Sequence, residues 1–190
     1  HNPVEYNGFK LANGFSETLV SEGLQELRQI IEKEDYQQGV KTGSVKVRDI
    51  RQDYFADLLK RLPIKKKFKV VIDPSCSTAG AVAPDLLKKA GCRVVESNCQ
   101  LDSSFPLGTP DPTSLAVARR LKEKVLQEKA DMGFSYDADG DRIGIVDDKG
   151  NILWNDVLVA LFAADVLSEH PGSTIMYYTL CSKAVEETIL

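Results

Sequence analysis

The alternation of apolar runs with amphipathic stretches between residues 68 and 146 limits the possible folds more than any other feature of this sequence. Apolar runs at residues 68–72, 92–96 and 130–136 are typical of buried strands, and the intervening stretches place apolar residues at helical spacing. The order strand, helix, strand, helix, strand is typical of a parallel sheet with right-handed crossover connections. We therefore predict an α/β fold in which mainly parallel mixed sheets are flanked by helices.

The connections between these predicted strands differ in length. The turn at residues 73–80 opens a helix that runs to about Ala90, and a second helix runs over residues 113–129. Residues 97–112 contain three prolines and one glycine and form a long loop. Loops of this length in compact domains are often functional, which makes this segment a candidate for a functional role.

Further elements are predicted on both sides of this region. Asn7-Gly8 favours a turn into a short strand that ends near Ala12, and amphipathic helices are predicted at residues 22–34 and 49–61. The predicted elements after a strand at residues 143–146 are a short strand through Trp154, a helix at 155–168, a strand at 173–179 and a final helix from about Ser182. The alternation of strand and helix therefore continues toward the last residues of the chain.

These elements indicate three parts, of which only the central one is complete. We assign residues 1–45 to the C-terminal part of a first domain, residues 46–148 to a complete second domain and residues 149–190 to the N-terminal part of a third. Incomplete domains would expose apolar faces that are normally covered, and such faces favour association. We therefore expect copies of the chain to associate with one another.

An acidic loop follows the third predicted strand. Residues 137–142 read Asp-Ala-Asp-Gly-Asp-Arg, and like charges so close together disfavour joint ionisation unless a cation or hydrogen-bond donors neutralise them. Mg²⁺ takes oxygen ligands and usually keeps positions open for water or phosphate. The loop should leave the sheet at the edge where open α/β sheets hold ligands. The sequence therefore predicts a Mg²⁺ site with three ligands, Asp137, Asp139 and Asp141, and a solvated acidic turn is the alternative.

Two other acidic loops have a similar outline. An EF-hand has Gly at the sixth position and Glu at the twelfth, but counting from Asp137 these positions hold Arg142 and Asp148, which excludes an EF-hand. Phosphatases of the haloacid dehalogenase type also carry Asp-x-Asp after a strand, normally with Thr or Val at the fifth position, where this chain has Asp141. A phosphatase with Asp137 as its nucleophile remains an alternative, as does a non-catalytic module that binds a divalent ion.

Composition and charge narrow the class of protein further. The chain has 190 residues and a net charge of −4, which speaks against non-specific binding to nucleic acid. No apolar run approaches the roughly 20 residues of a membrane span, and no secretory signal peptide opens the sequence. Its four cysteines form no C-x-x-C pair, so neither a zinc site nor a disulfide framework is indicated. We expect a soluble cytoplasmic protein that binds neither nucleic acid nor membrane.

Two motifs, taken together, resemble those of the α-D-phosphohexomutases, and in particular the bacterial phosphomannomutase/phosphoglucomutase group. That family has a Ser-His-Asn-Pro loop that carries a phosphoserine, followed later by an Asp-Gly-Asp-Gly-Asp-Arg loop that holds Mg²⁺. The matching segments here are His1-Asn2-Pro3 and residues 137–142, in the same order. The continuation at residues 6–10, Tyr-Asn-Gly-Phe-Lys, is also similar. The resemblance covers the end of one domain, all of a second and the start of a third.

The resemblance implies a reversible transfer of a phosphoryl group between the 6- and 1-positions of a hexose phosphate, through a bisphosphate intermediate. Such a reaction depends on a metal and on fixed cations, because charge spreads over the phosphoryl oxygens in the transition state. The implied metal ligands are the three aspartates, with Mg²⁺ as the cofactor. The implied catalytic residues are Lys10, as general acid/base, His1 and Arg142, and the implied phosphate-binding residues are Asn2 and Arg142. The residues themselves also allow a solvated lysine at position 10 and a structural ion pair at position 142.

The sequence departs from the family pattern at several points. The serine that precedes His1 in the family is not among the 190 residues, and neither is the sugar-discriminating Gly-Glu-Met-Ser-Gly-His loop. Ala138 stands where the family has a glycine, which is compatible only if this position does not need a positive φ. We therefore expect this chain by itself to be inactive, and the preferred sugar, mannose or glucose, stays open.

Overall fold

The computed structural model describes residues 5–6, 8–37, 39, 42–61 and 64–189. The chain divides into two compact units, His1–Ile50 and Arg51–Leu190. The described part of the first unit contains one α-helix, α1 (Ser21–Glu32), which confirms the amphipathic helix predicted at residues 22–34. The strand predicted to end near Ala12 is reduced to an isolated antiparallel bridge between Ala12 and Thr18.

The second unit contains most of the regular structure. Apart from the strand predicted at residues 173–179, it alternates strands and helices as the sequence pattern predicts, with boundaries that differ by at most three residues. In chain order its elements are α2 (Arg51–Arg61), β1 (Lys69–Asp73), α3 (Ala83–Lys89), β2 (Arg93–Glu96), α4 (Leu115–Glu128), β3 (Met132–Tyr136), β4 (Ile143–Asp147), β5 (Ile152–Leu153), α5 (Asn155–Glu169) and α6 (Lys183–Ile189).

One five-stranded sheet with the order β2-β1-β3-β4-β5 organises this unit. β1 pairs in parallel with β2 and β3, whereas β4 runs antiparallel to both β3 and β5. The mixed α/β fold with flanking helices predicted from the sequence is therefore confirmed. Because β1 and β3 are parallel neighbours, the turn after Asp73 and the loop after Tyr136 leave the sheet at the same edge.

The core lies on both faces of β1, which is an interior strand of the sheet. Val71 packs with Leu121 and Val125 of α4, and Val70 and Ile72 point to the opposite face. Three consecutive buried residues of this kind explain why the run is continuously apolar instead of alternating. α4 ends at Glu128, and its C-cap residue, Lys129, adopts a left-handed conformation with φ 50°. The sheet is thus packed between α4 on one face and α3 on the other.

The C-terminal segment departs from the prediction in one respect. Residues 173–179, predicted as a strand, contain no strand, and Met176 and Tyr178 are 91% and 70% exposed. A segment forms a strand only where a neighbouring strand pairs with its backbone, and residues 173–179 are not part of the sheet β2-β1-β3-β4-β5. The two helices predicted in this region are present as α5 and α6, and the structure shows that they pack against each other. The three-part domain division at residues 45 and 148 stays a prediction.

Among the helices of the described residues, none combines the length and the apolar character of a membrane span.

Gly133 of β3 lies directly beneath α4 and provides a test of this packing. A Cβ at this position would lie 2.8 Å from Leu121 Cδ1 and still closer to Val125 Cγ2. We expect Gly133→Ala to lower the free energy of unfolding by about 1–3 kcal/mol, because the added carbon must displace both side chains. Denaturant unfolding of the 190-residue chain measures this change.

The matched control is Gly43→Ala, where an added Cβ meets no atom within 4 Å. This variant should change stability by less than about 0.5 kcal/mol. Equal stability of the Gly133 variant and the unsubstituted chain would contradict the close contact between α4 and β3.

Candidate metal site

The acidic loop forms the tip of the hairpin between β3 and β4. The strands pair up to Tyr136 and Ile143, and the N–H of Arg142 donates to Asp137 Oδ1 at 3.1 Å. Gly140 has φ +77°, a value that favours glycine, and a Cβ there would lie 3.4 Å from the Cβ of Ala79. Ala138 does not have a positive φ, so the replacement of the family's glycine by alanine is compatible with the loop.

The three aspartates predicted from the sequence come together in this loop. Each of Asp137, Asp139 and Asp141 offers a carboxylate oxygen, and these oxygens lie within 4.8 Å of one another. Asp137 is buried, whereas the other two carboxylates are exposed. A buried carboxylate beside two exposed ones can hold a cation at the surface from one side, leaving its outer side open to ligands.

The electrostatics of the loop show how closely its charges interact. The hydrogen bond with the Asp137 carboxyl, partial desolvation and the negative charge of Asp139 hold the pKa of Asp141 above its usual range. Arg142 opposes this effect, and its Nε lies 3.6 Å from Asp137 Oδ2 and 3.9 Å from Asp141 Oδ1. The Arg142 side chain is 57% exposed, so its guanidinium group remains accessible while it faces the carboxylates.

The turn after β1 lies against the acidic loop. Ser77 Oγ donates to the backbone carbonyl of Asp137 at 2.9 Å, and Thr78 Oγ1 donates to the carbonyl of Ala138, also at 2.9 Å. The parallel pairing of β1 with β3 places these groups together, although they are 60 residues apart in the sequence. The acidic loop is therefore supported by residues outside its own motif.

A buried ion pair supports the turn after β1. Asp73 is fully buried, and its Oδ2 accepts from Arg120 Nε of α4 at 2.9 Å and from Asn98 Nδ2 at 2.9 Å. Its Oδ1 accepts from the backbone N–H of Ser75 at 3.0 Å. Arg120 also donates to the Ser75 hydroxyl. These bonds satisfy a charge that would otherwise be costly to bury, and they connect the sheet edge to α4.

A pocket of about 380 Å³ lies beside the acidic loop. Its lining includes Asp139 and Gly140 of the loop, Thr78 of the neighbouring turn, and the rings of Tyr54 and Tyr136. Burial raises the pKa of the Tyr136 hydroxyl to about 12, so the phenol is neutral at physiological pH. The lining next to Asp139 is therefore uncharged, and the negative charge of the site is confined to the acidic loop.

The other residues implied by the resemblance lie in the first unit. Lys10 is exposed. His1 and Asn2 fall outside the described residues. The three aspartates and Arg142 are thus brought together within the second unit, while the catalytic role of Lys10, His1 and Arg142 and the phosphate contact of Asn2 stay predictions.

Comparison with known families identifies the protein class. A family described as phosphoglucomutase/phosphomannomutase, alpha/beta/alpha domain II, matches residues 52–150, which is 99 of the 190 residues. The chain belongs to the phosphoglucomutase/phosphomannomutase family. The matched segment contains both the acidic loop and the turn after β1. This assignment favours the mutase resemblance over the haloacid dehalogenase alternative.

Individual relatives in this family match nearly the whole length of this chain. The phosphomannomutase/phosphoglucomutase of Pseudomonas aeruginosa is 42% identical over 183 residues, covering 96% of this chain and 39% of the relative. The phosphoglucomutase of Neisseria meningitidis serogroup B is 37% identical over 177 residues, covering 93% and 38%. A solved structure of a phosphoglucomutase/phosphomannomutase family protein from Burkholderia thailandensis has a TM-score of 0.78 and 30% identity, covering 90% of this chain and 38% of that one. The chain therefore spans about two fifths of the length of these relatives.

The sequence pattern does not point to the supporting residues of the turn after β1. Ser77, Thr78 and Arg120 are residue types that turns and helix surfaces commonly contain, and no local motif marks them. The available signal is positional: a polar turn at the carboxyl end of one parallel strand should lie beside the loop that follows the neighbouring strand. Strand order is needed to use this signal, and the sequence does not supply it.

The Asp73–Arg120 pair can be tested by removing the cation. We expect Arg120→Met to lower the free energy of unfolding by about 2–4 kcal/mol, because it leaves the buried carboxylate without its charged partner. This expected loss of unfolding free energy is at the lower end of the range for breaking a buried ion pair, because the Arg120 side chain is 27% exposed. Denaturant unfolding of the chain measures the effect.

The neighbouring exposed arginine provides the matched control. Arg119→Met removes the same charge from the same helix at an exposed position and should change stability by less than about 0.5 kcal/mol. An equal loss in both variants would mean that the pair with Asp73 contributes nothing specific.

Proposed function

We propose that the protein to which these residues belong is a Mg²⁺-dependent phosphohexomutase, which moves a phosphoryl group between the 6- and 1-positions of mannose or glucose phosphate. The observation that carries this proposal is the cluster of three carboxylates at the carboxyl edge of the sheet, with an arginine beside it. Family membership supports the same reaction class, because the relatives are named phosphomannomutases and phosphoglucomutases.

The donor set fits Mg²⁺ better than other common metals. All three side chains offer oxygen, and hard cations such as Mg²⁺ prefer oxygen ligands, whereas zinc and copper favour nitrogen and sulfur. Mg²⁺ binds at about 2.0–2.1 Å, so ligand oxygens of an octahedron lie roughly 3 Å apart when adjacent and roughly 4 Å apart when opposite. The three carboxylate oxygens lie within 4.8 Å of one another, and rotation of the two exposed carboxylates can bring them to that spacing. A divalent cation would also offset the negative charges of Asp139 and Asp137, which add to the effect of the Asp137 hydrogen bond and of desolvation in raising the pKa of Asp141.

Each residue of the site has a distinct part in the proposed reaction. The three aspartates hold the cation, which when bound neutralises charge that develops on the phosphoryl oxygens. Arg142 directs its exposed planar guanidinium toward a phosphate group of the substrate, in a geometry that matches two phosphate oxygens. Lys10 transfers a proton at the reacting hydroxyl, as the family resemblance implies, and His1 and Asn2 contact phosphate.

The metal site can be tested directly on the 190-residue chain. We expect Mg²⁺ to bind in calorimetric titration, and Asp139→Asn to weaken binding more than about 100-fold. The reason is that changes to residues that merely support metal ligands already cost about 10–100-fold in affinity. Asp148→Asn, which removes an exposed carboxylate outside the cluster, should leave the affinity unchanged. Loss of binding in both variants, or in neither, would count against a specific site at the loop.

The activity of this chain by itself is a separate question. We propose that it does not convert glucose 1-phosphate or mannose 1-phosphate, because the phosphoryl-carrying serine and the sugar-discriminating loop of the family are not among its residues. An assay with either substrate and a hexose bisphosphate activator should give no turnover, and any turnover would contradict the proposal. Hydrolysis of a simple phosphate ester would instead favour the phosphatase alternative, with Asp137 as nucleophile.

A further inference from the structure

Two hydroxyl groups outside the acidic loop hold the peptide units that join its first two aspartates. Ser77 Oγ donates to the carbonyl of Asp137, and Thr78 Oγ1 donates to the carbonyl of Ala138, each at 2.9 Å. The first carbonyl belongs to the peptide unit between residues 137 and 138, and the second to the unit that ends at Asp139. Both peptide planes between the Cα atoms of the two aspartates are therefore tied to another turn.

The turn that carries the two hydroxyls has a well-determined shape. The N–H of Ser77 donates to the Pro74 carbonyl at 3.1 Å, and the N–H of Cys76 donates to the Asn98 carbonyl at 2.8 Å. Ser75 and Cys76 have φ values of 52° and 64°. Residues other than glycine keep this conformation only where the surroundings impose it. The Asp73–Arg120 pair and these backbone bonds impose it here, so the hydroxyls start from a single arrangement.

The two contacts differ in their environment. The Ser77 hydroxyl bond is buried, whereas the Thr78 bond is at the surface, where the N–H of Thr78 also approaches the Ala138 carbonyl at 3.4 Å. The buried contact fixes the peptide next to the buried ligand, Asp137. The surface contact fixes the peptide next to the exposed ligand, Asp139.

We propose that Ser77 and Thr78 are positioning residues for the divalent cation, a role that rests on the metal site proposed above. By fixing two successive peptide planes, they set the separation of the Asp137 and Asp139 Cα atoms, and the direction in which the two side chains leave the backbone, before the cation arrives. Mg²⁺ demands near-octahedral geometry, so ligands that are already spaced correctly lose less conformational freedom on binding. Removing a hydroxyl leaves all three ligands in place but lets the loop vary in shape, which lowers affinity.

The decisive variant is Thr78→Val, which keeps the branched shape and removes only the hydroxyl. We expect it to weaken Mg²⁺ binding about 10-fold, in the range found for residues that support metal ligands. Thr78→Ser, which restores a hydroxyl, should bind within about twofold of the unsubstituted chain. The matched control is Thr113→Val, because the Thr113 hydroxyl donates to Asp111 at 2.7 Å in a loop outside the metal cluster, and its removal should leave affinity unchanged.

A second pair of variants tests the buried contact. Ser77→Ala should weaken binding at least as much as Thr78→Val, because both the carbonyl and the hydroxyl are buried. Ser104→Ala removes a hydroxyl that donates to Asp102 at 2.7 Å at an exposed position, and should have no effect. If Ser77→Ala fails to fold, the surface variant at Thr78 decides the question alone.

The affinities are measured with the metal alone, by calorimetric titration of Mg²⁺ and by the electron paramagnetic resonance signal of free Mn²⁺. A purely structural role would lower the melting temperature without metal and leave both affinities unchanged. The positioning role would be overturned if Asp139→Asn loses binding but Thr78→Val keeps its affinity. It would also be overturned if Thr78→Ser loses as much affinity as Thr78→Val. Absence of binding to the unsubstituted chain would overturn the metal site itself, and the positioning role with it.

Discussion

The parallel pairing of β1 with β3 is the constraint on which the rest of the site depends. It places the end of β1, at Asp73, next to the end of β3, at Tyr136, so that two loops far apart in the sequence share one edge of the sheet. Parallel strands require a crossover connection, and here α3, β2 and α4 supply it. The apolar faces of these helices bury β1 on both sides, which stabilises the pairing. The acidic loop acquires its supporting turn as a consequence.

The edge of the sheet concentrates negative charge, and the protein compensates for it in two different ways. Asp73 is buried and is neutralised permanently by Arg120 together with amide and hydroxyl donors. In the acidic loop, Arg142 Nε lies 3.6 Å from Asp137 Oδ2 and 3.9 Å from Asp141 Oδ1, and its side chain is 57% exposed. The first arrangement is typical of a structural ion pair. The second leaves two exposed carboxylates at the surface, which is compatible with the proposed cation site.

The turn that connects these two charge clusters has an unusual backbone conformation. Ser75 and Cys76 adopt left-handed conformations in consecutive positions, which is costly for residues with a side chain. The strain lies between the buried Asp73 pair on one side and the hydroxyls that hold the acidic loop on the other. Glycine and asparagine adopt such conformations readily. Here the hydrogen bonds of Asp73 and Asn98 hold a serine and a cysteine in them instead.

Between residues 51 and 169, the sequence by itself determined the order of strands and helices, together with the acidic loop and its three candidate ligands, because hydrophobic periodicity and residue type are local properties. The sequence shows a glycine at position 140 and an alanine at position 138 of the loop. Only the φ angles of the structure show that position 140 favours glycine and that position 138 does not. Tertiary structure decided which strands are neighbours, and therefore that Ser77 and Thr78 contact a loop 60 residues away. It also decided that residues 173–179, with a strand-like sequence, form no strand, because a strand depends on a partner for its backbone hydrogen bonds. Contacts between distant segments arise from the packing of whole elements, and no short stretch of sequence encodes them.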